Sequence, residues 1–170
     1  QEPTVIAQQG VLVGLNSLLE QGGQITLPNG RIIERHPDAV VVVTTNVDYE
    51  GCRGLNQSVI DRMSLIVDVD LPSIDVMVER AMSITGFKKK GQVKKMAKVV
   101  AQMAQYCREN AITDGSCGMR SLIDWVTSTM VTNNPYQSAL CTVVPRAAGD
   151  PLDRESLIST SLEPIFPPTT

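Results

Sequence analysis

Apolar residues recur at helical spacing over Val11, Leu12, Leu15, Leu18 and Leu19, and Gly22-Gly23 ends the run. The stretch Gln24 to Glu34 predicts a β-hairpin. Asn29-Gly30 stands between two β-prone segments, and a type I′ turn needs positive φ at both central residues. Ala39 to Thr45 is continuously apolar and β-branched, the pattern of a strand covered on both faces in the middle of a parallel sheet. It stops at Asn46. After a loop holding Gly51 and Gly54, Leu55 to Arg62 predicts a short helix and Ser64 to Asp70 alternates as a strand. Leu71-Pro72-Ser73 closes that strand, with Ser73 placed as N-cap of a helix through Val76, Met77, Arg80 and Ala81.

Beyond Pro72 the pattern is helical only. Gln92 to Glu109 is a long amphipathic helix with Val93, Met96, Ala97, Val100, Met103, Ala104 and Cys107 on one side. Met119 to Val131 predicts a second, Tyr136 to Val144 a third, and Asp150-Pro151 opens a last one through Glu155 and Leu162. The expected organisation is α/β followed by all-α. Residues 1–72 form an α/β part, 73–164 a helical domain and 165–170 a flexible tail.

Composition narrows the classes. Apolar content of 42% and charged content of 19% are those of a globular protein, and a net charge of −3 gives no global basic field. Aromatic content of 4% speaks against a carbohydrate platform or a base-stacking surface. Cys52, Cys107, Cys117 and Cys141 form no Cys-x-x-Cys pair and the one histidine, His36, is distant from them, so no zinc spacing is present. Scattered cysteines among apolar neighbours predict buried thiols in a reducing compartment. No apolar run approaches the ~20 residues that span a bilayer, which makes the expected location cytoplasmic, with no membrane partner. The chain opens at Gln1-Glu2-Pro3 without an initiator methionine and reads as a piece of something longer.

Three features stand where chemistry is done. Asn46 ends the buried strand, where ligands sit in open α/β sheets, and its carboxamide offers donors and an acceptor to a water or a phosphate oxygen. Taken alone, its plainer reading is a turn asparagine that simply ends the strand. Arg62 lies just before the second strand, placed to cancel charge on a neighbouring subunit's transferring phosphoryl group. The plainer reading is an ion pair with Asp61 or another surface acid. Arg120 follows Cys117-Gly118-Met119 at a helix start, where a cation opposes the dipole and a bound phosphate would relieve the conflict. Otherwise it pairs with Asp114 or Asp124.

Taken in order, Val40-Val41-Val42-Val43-Thr44-Thr45-Asn46, the glycine-bearing loop, Leu55 to Met63 with Asp61-Arg62, and a strand ending in Leu71-Pro72 resemble AAA+ ATPases. The nearest branch is the MoxR and dynein-related group, with its NorQ/CbbQ-like activators and cobaltochelatase ATPase subunit. Met63 replaces the phenylalanine usual after Asp-Arg. The hairpin around Pro28-Asn29-Gly30 is similar to the one that precedes the sensor strand in that group. The resemblance covers roughly residues 8 to 130. It implies the C-terminal part of a AAA+ αβα sandwich with parallel strands and an inserted hairpin, then a helical lid. It also implies roles: Asn46 as first sensor, Arg62 as the finger acting in trans, Arg120 as second sensor and Arg53 as an auxiliary finger. Mg2+ and ATP would be held between subunits of a ring, a hexamer by resemblance, that remodels or activates a client, for example one with a von Willebrand A domain, or a metal-insertion client.

The departure from the family is the phosphate-binding loop. No Gly-x-x-x-x-Gly-Lys-Ser/Thr occurs, and no apolar strand ends in Asp-Glu, Glu2 being at most a minor candidate for that acid. This chain by itself is therefore expected to hold neither ATP nor Mg2+ tightly, which favours as the alternative a non-catalytic interaction or assembly domain. A DNA-processing AAA+ relative is a further alternative, resting on Lys88, Lys89, Lys90, Lys94, Lys95 and Lys98. Because the rest of the chain is acidic and no aromatic residue but Phe87 interleaves, that run reads as a solvated helix start rather than a nucleic-acid surface. Trp125 reads as core.

Overall fold

The computed structural model describes residues 16–20, 22–44 and 57–168. The chain divides into two compact units, Gln1–Asp68 and Val69–Thr170.

In the first unit, helix α1 (Asn16–Leu19) precedes strands β1 (Gln24–Thr26) and β2 (Ile32–Glu34), and helix α2 (Gln57–Ile60) follows. The strands pair antiparallel with Ile25 opposite Ile33. The hairpin is where Asn29-Gly30 predicts it, but the turn is another type. Only Gly30 has positive φ, at 80°, and the Leu27 amide bonds the Arg31 carbonyl while the Gly30 amide bonds that of Leu27. Pro28 explains this, since its ring holds φ near −65° and suits the first central position of a type I turn, leaving Gly30 as the left-handed bulge residue.

The parallel αβα sandwich expected from the sequence is not what forms. Among the described residues the sheet has two antiparallel strands only, and most of the remaining ordered structure is helical. Residues 40–44 and 64–70 have no strand pairing. Val40 (84% exposed) and Val42 (72%) face solvent where a doubly covered strand would hide them, and in the alternating segment Leu65 (78%) is exposed too. β-Branched side chains favour extended backbone locally, but a buried strand also needs neighbours to bond and layers to cover it. No described residue supplies them.

The second unit is all helix: α3 (Ile74–Thr85), α4 (Lys90–Glu109), α5 (Met119–Thr132), α6 (Pro135–Cys141), α7 (Val143–Ala147), α8 (Pro151–Leu157) and a π-helical turn (Ile158–Leu162). The apolar stripe of α4 is buried through Val93, Met96, Ala97, Val100 and Met103, against Met77 and Ala81 of α3 and Leu122, Trp125 and Val126 of α5. Trp125 is fully buried, donates its indole N–H to the Pro135 carbonyl at 2.7 Å and meets the Phe166 ring edge-on at 5.5 Å. Chain reversals follow the expected chemistry. Gly86 (φ 72°) and Asn133 (φ 52°) end α3 and α5 in the left-handed conformation, and the Asn134 and Asp150 side chains cap α6 and α8 ahead of a proline.

Candidate functional site

Asn46 and Arg53, and with them Glu2 and Cys52, lie outside the described residues. Of the four nominated side chains, Arg62 and Arg120 can be placed.

Arg62 follows α2 and is held inside its own unit. Nη1 donates to the Ser58 carbonyl at 2.7 Å, and Nη2 and Nε donate to Oε1 of Glu20 at 2.9 and 3.3 Å. The first of these bonds reaches back four residues, so the helical turn presents an acceptor and the guanidinium fork spans from it to Glu20. Adjacent Asp61 is not the partner, because its carboxylate accepts from Gln57 Nε2 at 2.7 Å. The Arg62 side chain is 32% exposed and that of Glu20 57%, so the pair is partly solvated and weakly held by the standard of buried pairs.

Arg120 is exposed in the first turn of α5, the 14-residue helix whose N-cap is Gly118. Glycine brings no capping oxygen, and that turn contains no acid. Neither carboxylate proposed from the sequence pairs with Arg120. Asp124 is ion-paired with Arg146, and Asp114 accepts from the Gly149 amide at 2.9 Å. Among the described residues Arg120 has no carboxylate partner, and positive charge accumulates at the helix pole without a counter-charge. That arrangement can receive an anion.

Sequence reasoning missed Glu20, the partner of Arg62 in the first unit, and Arg146, the partner of Asp124 in the second. Each is distant in sequence from the residue it engages and lies in no motif, so only folding within its own unit forms each pair.

A shallow depression of about 170 Å³ lies between Asn133, Asn134, Pro135, Tyr136, Phe166 and Pro167. It is smaller than the ~300 Å³ at which ligand pockets begin. Among the described residues no group of three or more His, Cys, Asp or Glu could hold a metal ion. The expectation of buried thiols holds in part, since Cys107 is buried, Cys117 half-buried and Cys141 exposed. Burial, with a smaller contribution from Cys107, pushes the Cys117 thiol up to about 12. Burial raises Cys107 as well, helped by Asp153 and Asp114. Neither is poised as a nucleophile. Among the described residues no helix is long and apolar enough to cross a membrane. No protein-family model and no curated protein matches the sequence.

Proposed function

We propose that these residues contribute sensor and finger side chains to an ATP-hydrolysing module of the AAA+ type that remodels or activates a partner protein in the cytoplasm, with residues 73–164 acting as the lid. The observation that carries this reading is Arg120: an exposed cation in the first turn of α5 that pairs with neither of the acids its sequence context offers, Asp114 and Asp124. A nucleotide phosphate is the counter-charge such a position fits. The order Thr44-Thr45-Asn46, Asp61-Arg62, Gly118-Met119-Arg120 supports it independently of any sheet.

In this reading Arg120 binds the phosphates of the lid's own nucleotide, and Asn46 orients the attacking water. Arg62 exchanges Glu20 for the γ-phosphate in a neighbouring subunit of a ring, which we take to be hexameric. The Glu20 pair is a modest obstacle, since exposed ion pairs contribute about 0–1 kcal/mol. Grip on the phosphates and Mg2+ requires a loop that these 170 residues do not contain.

The test is ATP turnover in an assembly that joins these residues to a phosphate-binding loop. Arg120→Ala is expected to weaken ATP binding. Arg62→Ala is expected to lower kcat by roughly 10³-fold or more with binding retained, and to recover activity when mixed with a subunit whose phosphate loop is disabled. Unchanged ATP affinity in Arg120→Ala, or mixtures that never recover, sink the proposal. The second reading, an interaction domain without nucleotide chemistry, is favoured by the Arg62–Glu20 pair. It predicts that Arg62→Ala leaves turnover unchanged and Arg62 stays paired in the assembly.

A further inference from the structure

The six lysines between Lys88 and Lys98 hold six of the chain's fifteen basic residues, and none of its eighteen acidic residues lies among them. All six are exposed. Lys90, Lys94 and Lys98 recur at intervals of four, so they form one row along α4 with neighbours about 6 Å apart, and Lys95 stands beside it. Only Lys94 is neutralised, by Asp75 at 3.0 Å, and its presence, with that of Lys90, holds the Asp75 carboxyl below its usual range. Among the described residues the other five have no carboxylate partner. Nor does the first turn of α4 contain an acid to offset the helix dipole.

We propose that this lysine row is a sequence-neutral contact for the phosphate backbone of duplex nucleic acid. Three features favour that partner. Lysine is depleted at protein–protein interfaces, whereas phosphate contacts are made by lysine, arginine and helix N-termini. The missing aromatics that count against a nucleic-acid surface in the sequence count only against single strands, since Phe87 is half-buried against the helical core and a duplex backbone needs no stacking platform. The row is also straight and rigid, because the opposite face of α4 is locked in the core through Val93, Met96, Ala97 and Val100.

The test uses the whole chain and a labelled mixed-sequence DNA duplex, followed by fluorescence anisotropy across a salt series. With about five uncompensated lysines, log affinity should fall against log salt with a slope of about −4. Affinity should then drop roughly 10²–10³-fold between about 50 and 200 mM salt, alike for duplexes of unrelated sequence. Lys95→Glu with Lys98→Glu should weaken binding at least tenfold and flatten the slope by about two. The milder Lys95→Gln with Lys98→Gln should do so less, and Arg31→Glu with Arg80→Glu, the same charge change elsewhere, should do so least. Absent binding, a slope near zero, or equal losses in the two charge-reversed pairs overturn the proposal. So does tighter capture by polyglutamate or by phosphatidylserine vesicles, which would assign the row to an acidic protein segment or a membrane surface.

Discussion

An arginine in a sequence has many acids within reach, and which one it takes decides what it can do. Asp124 stands four residues after Arg120 and is the natural helical partner, yet it is ion-paired with Arg146. Asp61 adjoins Arg62, yet it is bonded to Gln57 while Arg62 reaches Glu20, forty-two residues away. Candidate cations were therefore legible at the residue scale and their partners were not, because pairing depends on tertiary neighbours that no spacing encodes. The cysteines illustrate the same limit. Three thiols in similar apolar contexts differ in the fold: Cys107 is buried, Cys117 half-buried and Cys141 exposed. With the Cys117 thiol at about 12 in the folded chain and at 9.0 when unfolded, the unfolded state releases its proton first. Its contribution to stability is full below pH 9 and is lost progressively as pH rises towards 12. Chemical denaturation of wild type and Cys117→Ala across that range should show the wild type losing more stability than the variant. Native-state alkylation near pH 8, read by mass spectrometry, should mark Cys141 and spare Cys117. Equal labelling of the two would contradict the burial described here.

Helices were more legible than strands, for a physical reason that shows in α4 and in residues 39–45. The i, i+3, i+4 apolar stripe of α4 states both the backbone and the buried face, since a helix satisfies its own hydrogen bonds. The valine run 40–43 states only a preference, and its hydrogen bonds must come from another segment. Breaks inside helical stretches are similarly readable in retrospect. The segment expected as one helix from Tyr136 to Val144 is two, α6 and α7, divided at Thr142 (φ −124°, ψ −75°). Pro145 lacks the N–H that a continuous helix would donate to the Cys141 carbonyl, but within the first turn of α7 that donor is not required. Caps separate just as clearly. Asp150 accepts from the amides of Leu152 and Asp153, whereas Ser73 occupies the N-cap of α3 with no side-chain bond. Asp150→Ala should then cost about 1 kcal/mol in urea unfolding and Ser73→Ala distinctly less. A Ser73→Ala loss as large as that of Asp150→Ala would show that the α3 cap is made after all.

At the scale of the whole molecule, apolar burial is divided very unevenly. Among the described residues every buried apolar side chain except Val59 lies between Met77 and Phe166. The second unit therefore contains its own core: α3, α4 and α5 interlock around Met96 and Trp125, the π-helical turn adds Leu162, and Phe166 closes over Trp125. The first unit leaves Val40, Val42, Leu65, Ile66 and Val67 exposed. This is also where the sequence misled. Its apolar pattern identified which segments require cover, while a count of residue types could not say whether the chain provides it. Cooperative unfolding follows from a contiguous core, so residues 69–170 produced alone should give a single helical transition. Its denaturant midpoint should match that of the helical signal in the full chain, monitored by far-ultraviolet circular dichroism. A fragment that melts without cooperativity, or at a clearly lower midpoint, would mean that the helical unit draws stability from residues 1–68 and does not fold independently.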